Sequence, residues 1–223
     1  MNRTDNIRAF MKRFRTNCCR VGQKPRRAVA ATEFALTLPL WITMLLGTAD
    51  GTYCLLVNEK CDRIAYTVTD IVAQYQTQNP TQLGNLTVAG LNDIILAGAQ
   101  LMQPFPFTAT QGANVITTSV YKPAGKSPII CWQYNGAIVA DNAATQSRVG
   151  IPSNSDPNHK CATGGAATLP NGLTLNDNDN VIISEVFYNF SPLFISSTLF
   201  NASTIYRVAV YKPRLSPLIN TPS

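Results

Sequence analysis

Residues 28–57 read AVAATEFALTLPLWITMLLGTADGTYCLLV, and the stretch from Phe34 to Ala49 inside them carries no charge at all. At about 1.5 Å per residue it makes roughly 24 Å of helix, a little short of the hydrocarbon core of about 30 Å, so Cys54 to Val57 are needed to complete a span. A transmembrane helix over 28–57 is the reading that follows. A secretory signal is the first competitor, but the apolar part is long and no small-x-small cleavage site with a polar start follows it. A buried helix of a soluble protein is the second.

Working outward toward the amino terminus, the chain up to Arg27 holds nine basic residues against one acid, Asp5. After Arg27 the nine remaining Lys and Arg face eleven Asp and Glu. The net charge of +6 therefore comes wholly from a short segment, residues 1–27. No aromatic-studded basic stripe or zinc-finger spacing follows it, which argues against nucleic acid as a partner. Positive charge before the span and little after it orients the amino terminus to the cytoplasm and the bulk of the chain outside. With 45% hydrophobic and 13% charged residues, the rest has the material for a packed core and is no disordered polyelectrolyte.

In the other direction the helical period continues. Cys61, Ile64, Ala65, Val68, Ile71, Val72 and Tyr75 recur at three- and four-residue intervals between Asp62, Arg63 and Asp70. One helix to about Thr77, with an amphipathic extension over 58–78, ends at Asn79-Pro80. Its first half sits in lipid, and its second half needs a partner for the apolar stripe. A half-embedded helix carrying a small domain has the architecture of a type IV pilin or pseudopilin.

The residues allow a closer comparison. Arg26-Arg27-Ala28-Val29-Ala30-Ala31-Thr32-Glu33-Phe34-Ala35-Leu36-Thr37-Leu38-Pro39 resembles the amino-terminal signature of TadE-like proteins, minor pseudopilins of the tight-adherence (Flp) pilus system. Gly47-Thr-Ala-Asp50 resembles the Gly-x-x-acid step that ends the family's span. Glu185-Val-Phe-Tyr-Asn-Phe-Ser-Pro-Leu193 and Tyr211-Lys-Pro-Arg214 resemble its later strand and Pro-Arg segments. The resemblance implies an assembly role, with other pilins or pseudopilins and inner-membrane pilus assembly proteins as partners and a prepilin peptidase acting between Ala28 and Val29. It departs from the family at Ala28, where prepilin-like members carry Gly. An uncut inner-membrane anchor is the alternative.

Glu33 serves either case. In a cut chain its carboxylate can pair with a free α-amine at the lipid edge, its own or a neighbour's, and so set the register of packed helices. In an uncut chain it is an interfacial carboxylate near Arg26 and Arg27. Asp50, an acid inside or bordering the span, is a second candidate, with plain interfacial exposure as its alternative. Pro39 removes a backbone donor mid-span and loosens the helix there.

The six cysteines divide by compartment. Cys18 and Cys19 lie on the cytoplasmic side, whereas Cys131 and Cys161 lie in the exported part, where a disulfide persists, and a bridge between them is expected. Cys54 and Cys61, seven apart on one helix, are about 10 Å apart and cannot bond each other.

Beyond Pro80 a second helix is expected over Thr87–Met102, stopped by Pro104 and Pro106, and strands over Val115–Tyr121, Ile129–Tyr134, Val181–Phe190 and Ile205–Tyr211. The fold class is therefore α+β: a long amino-terminal helix, transmembrane in its first half, packed on a small antiparallel sheet in a pilin-like domain over 79–223. The loop over 136–180 is unusually long and is a candidate for contact with other subunits. Asn176-Asp-Asn-Asp-Asn180 has the oxygen density for Ca²⁺ but lacks the Gly and distant Glu of a calcium loop, and reads as turn chemistry. No nucleophile elbow, phosphate loop or His-Glu-x-x-His occurs, and there is one His, so no catalytic residue, metal site or cofactor is assigned and an enzyme is not expected. The reading is a bacterial inner-membrane, single-pass, pilin-like assembly protein with a periplasmic domain. Its rivals are a tethered periplasmic binding or enzymatic domain and a secreted protein with a long signal.

Overall fold

Pro25, which has no amide to leave unsatisfied, opens helix α1 (Pro25–Ala73), 49 residues long with Pro39 inside it. The computed structural model describes residues 25–75, 86–136, 145–152, 161, 165–194, 203–215 and 217–219. The chain divides into two units, residues 1–49 and 50–223, and α1 contributes to both.

Over Val29–Ala73 helix α1 is long and apolar enough to cross a membrane, and none of its most apolar stretch is buried. Phe34, Leu36, Leu40, Trp41, Met44 and Leu45 all stand bare. Its hydroxyls are turned inward instead. Thr32 donates to the Val29 carbonyl, Thr37 to those of Glu33 and Phe34, Thr43 to Leu40 and Thr48 to Leu45. Each thus presents its methyl outward and leaves no donor in need of water.

The second unit is the α+β domain. Residues 50–73 of α1 lie with helix α2 (Val88–Gln100) on one face of a four-stranded antiparallel sheet, β1 (Asn114–Tyr121), β2 (Ile129–Asn135), β3 (Asn180–Phe190) and β4 (Ser203–Tyr211), in the order β2-β1-β3-β4. The stripe Val57, Cys61, Ile64, Ala65, Val68 and Val72 is fully buried and packs with Leu91 and Ile95 of α2 and Val115, Ile182 and Val186 of the sheet. Thr87 caps α2 by accepting the Gly90 N–H at 3.0 Å. At its other end Lys60 of α1 donates to the carbonyls of Leu101 (3.0 Å) and Gln103 (2.6 Å), placing a cation where the helix dipole is negative. Gly98 is required by the close approach of the two helices, because a Cβ there would stand 2.8 Å from a Val68 methyl.

One boundary differs from the sequence expectation. Of Cys54 to Val57, needed there to complete the span, Val57 is buried and Cys54 packs in the core of the second unit, while Leu55 and Leu56 are bare. An apolar run does not distinguish lipid from a protein interior. The helix stops at Ala73 rather than near Thr77. The Gln74 and Tyr75 amides turn back to Ile71 and Val72 in a tighter i to i−3 pattern, and the Arg214 N–H takes the Ala73 carbonyl at 2.9 Å. Asn79-Pro80 lies outside the described residues.

The strands match their expected limits within two residues. β1 and β3, the central pair, are buried on both faces, which is why β3 reads as a nearly continuous apolar run. The second cover was not foreseen. Part of the long 136–180 loop forms it: residues 145–152 and 165–175 lie over the sheet face opposite the helices, where Val149 and Leu175 pack with Val120, Ile130, Val181 and Ile183. Backbone bonds from Ile130 to Gly165 (2.8 Å) and from Ala167 to Pro128 (2.9 Å) shield the β2 edge. Residues 137–144, 153–160 and 162–164 of that loop, on which part of the subunit-contact expectation rests, lie outside the described residues. At 176–179 the chain turns with Asn178 left-handed, and Lys122 and Lys212 hold Asp177 and Asp179 below the usual carboxylate range.

Candidate membrane and assembly surface

The residues singled out near the amino terminus lie on one helix, Ala28 among them. Val29, Glu33 and Phe34 are all exposed. Val29 and Glu33 are four apart, which sets them one turn apart on the same helix face. The backbone N of Val29 therefore lies about 6 Å along the axis from the Glu33 position. The basic segment up to Lys24, with Cys18 and Cys19, lies outside the described residues.

Asp50 is not an exposed interfacial acid. It opens the second unit, is buried, and accepts the backbone N–H of Leu193 at 3.0 Å and that of Phe194 at 3.3 Å. The Ser-Pro-Leu segment that closes β3 is thereby tied to the first helical turn of the domain. The Tyr211-Lys-Pro-Arg214 segment is tied to the same helix further along, where Arg214 donates to Asp70 at 2.5 Å as well as to the Ala73 carbonyl. Between these two ties Arg207 of β4 donates to Asn58 at 2.7 Å and pairs with Asp62 at 3.3 Å. Both later segments of the family resemblance thus act on α1, a convergence that no spacing in the sequence reveals.

Cys131 and Cys161 are joined as a disulfide, 30 residues apart in sequence. It fastens the loop to Cys131, buried in β2. Nearby, Pro217–Ile219 returns to the sheet. Leu218 is buried, its carbonyl accepting from Trp132 (2.8 Å) and Ser119 (2.6 Å), and its N–H donating to Asn180 (2.9 Å).

Glu185 is the residue the sequence reading passed over, since it entered only as the first letter of a longer segment. It projects from β3 toward the loop cover and is fully buried. Its carboxylate accepts the Arg148 backbone N–H (2.9 Å), the Tyr206 hydroxyl (2.9 Å) and the Ser147 hydroxyl. Burial, then the adjacent Glu185 charge, pushes the Tyr206 phenol up, so it stays a donor. Asn114 and Gln133 reach the same loop, donating to Thr145 and Gly150 at 3.0 Å each. The available signal was the single charge in a strand rich in apolar residues.

The two described free cysteines differ. Cys61 is fully buried, and burial, with Asp62 adding to it, pushes its thiol up to about 12, whereas Cys54 is half-buried beside Asn58. Because the thiolate is the reacting form, a maleimide at about pH 8 should spare Cys61 in the folded chain and modify it only after unfolding. Peptide mapping by mass spectrometry checks this, and equal Cys61 labelling with and without urea would sink it.

No known protein family, curated protein or solved structure matches this chain.

Proposed function

We propose that the protein is a single-pass, inner-membrane pilin-like subunit of the TadE-like kind, with its amino terminus in the cytoplasm and its disulfide-bonded domain in the periplasm. It acts through contacts with other pilins or pseudopilins and with inner-membrane assembly proteins of a tight-adherence type pilus or related secretion system. The observation that carries this reading is the division of labour along α1. Its first half is apolar and bare while its second half is the central packing element of an α+β domain.

The physical mechanism is association without turnover. A bare apolar helix is equally satisfied by lipid tails and by neighbouring helices, so it can exchange one for the other at small cost. Back-bonded threonines remove the donors that would otherwise resist the move. Glu33 supplies what apolar contact lacks, a unique axial position. Removal of the segment before Val29 would create an α-amine one turn from that carboxylate, and the pair would favour a single register among packed helices.

The test is mass spectrometry of the membrane-extracted protein, with and without a prepilin peptidase, repeated for Glu33→Ala. The expected mature chain starts at Val29 only when the peptidase is present. Glu33→Ala should lower the yield of assembled complex. An intact amino terminus would restrict the role to a permanent assembly anchor, and a start near Asn58 would overturn the pilin-like reading.

A further inference from the structure

Asp50 ends a run with no charge, and an ionised side chain there would ordinarily fix the water boundary. It is only 2% exposed, however, and its carboxyl oxygens accept the Leu193 and Phe194 amides. The side chains that this clasp displays are apolar and bare, Leu193 at 65% and Phe194 at 59% exposure. Leu55 and Leu56, within about 9 Å of Asp50 along the helix, are bare as well. Residues 51–58 contain no charge, and Tyr53 among them packs at 5.0 Å from Phe105 and 5.1 Å from Phe190. Past Asp50 the next charges on the helix come only at Glu59, exposed, and Lys60, half-buried.

We propose that this end of the domain is immersed in the lipid interface, with Leu193, Phe194, Leu55 and Leu56 in contact with acyl chains. The inference rests on the membrane-anchored reading and extends it from the helix to the folded unit. The length argument selects lipid as the occupant. Phe34 to Ala49 makes only about 24 Å of helix, short of a hydrocarbon core of about 30 Å, whereas Phe34 to Val57 makes about 36 Å. The missing length falls where the domain is apolar outside and its one acid is buried and hydrogen-bonded to backbone amides. Aromatic residues at this level, with Lys60 above them, follow the usual layering of an interface. Immersion also fixes the domain's tilt and height at the bilayer, which a single helix crossing cannot do.

Trp41 provides a built-in control, because it lies on the bare part of α1 while Trp132 is buried. The full chain is reconstituted in phosphatidylcholine vesicles, and Trp emission is quenched either by lipids brominated near the carbonyl end of their acyl chains or by aqueous iodide. Phe194→Trp and, separately, Leu193→Trp are placed in a Trp41→Phe background; both positions are exposed, and unchanged near-UV dichroism verifies folding. The expected result is that each added tryptophan loses emission to the brominated lipid by a fraction comparable with Trp41 in the wild-type chain, and is insensitive to iodide. Quenching by iodide alone, with Trp41 still quenched by lipid, overturns the proposal and leaves the anchor standing. Insensitivity to both quenchers would mean that protein, a second copy included, covers the site, and overturns it equally. Failure of lipid to quench Trp41 removes the membrane reading itself.

Discussion

Glu185→Ala should destabilise the α+β domain by about 3 kcal/mol and lower its melting temperature by roughly 6–12 °C. The carboxylate is fully buried and accepts three hydrogen bonds, from the Arg148 amide, Ser147 and Tyr206. Truncation strips the acceptor from all three, and the deeply placed amide has the least access to water. Glu185→Gln keeps the volume and an oxygen for the Arg148 amide and Tyr206 but points an amide donor at the Ser147 hydroxyl, which donates in the native chain, so a loss of about 1–2 kcal/mol is expected. Because Ser147 and Arg148 belong to the loop cover, the Ala variant should also become sensitive to proteolysis near 145–152 well below its melting temperature. Thermal unfolding followed by near-UV dichroism, with protease mapping alongside, checks both statements. A melting temperature within about 2 °C of the parent would show that the carboxylate does not hold the loop.

Replacing Cys131 and Cys161 together by Ser should cost about 3–4 kcal/mol. A cross-link over 30 residues removes that much chain entropy from the unfolded state. Reductant added to the wild-type chain should reproduce the loss, since both experiments remove the same bond. The effect should not simply add to that of Glu185→Ala. Glu185 holds the loop through residues 147 and 148 and the disulfide holds it at 161, so once one hold is gone the other restrains a segment already partly released. The combined variant should therefore lose less than the two single losses predict. Strict additivity would mean that the two holds belong to separate cooperative units.

What was legible in the sequence follows from local patterning. The stripe from Cys61 to Val72 repeats at helical spacing, the four strands are dense in β-branched and aromatic residues, and turn residues separate them, so helix and strand limits could be read closely. The bridge was legible because the expected orientation would put Cys131 and Cys161 together in an oxidising environment, apart from Cys18 and Cys19. Hydropathy alone could not locate the end of the bare helix, since Tyr53, Cys54 and Val57 are as apolar as their predecessors but pack against protein. Nor could it show Asp50 buried, because its partners are backbone amides 143 and 144 residues away. The loop cover was hidden for a related reason. Its polar composition marks a surface loop, and it becomes a layer through distant contacts, the packing of Val149 and Leu175 and the hydrogen bonds of Asn114, Gln133 and Glu185 on the sheet.

The strand order carries a kinetic consequence. The two central strands, β1 and β3, meet across the whole of β2 and the long loop, with Thr117 and Ser184, a facing pair, 67 residues apart. Pairing that distant closes late in folding, because the loop entropy is lost before any contact rewards it. The cysteine cross-link lies inside that loop and shortens it by about half, which eases closure by about 0.6 kcal/mol. The benefit is small at equilibrium, but it falls on the slow step. A chain that oxidises before its sheet closes passes quickly through the stage at which β3, buried on both faces in the native sheet, is unpaired. A chain kept reduced lingers there, so delayed thiol oxidation should lower the yield of folded protein by more than its effect on final stability would suggest.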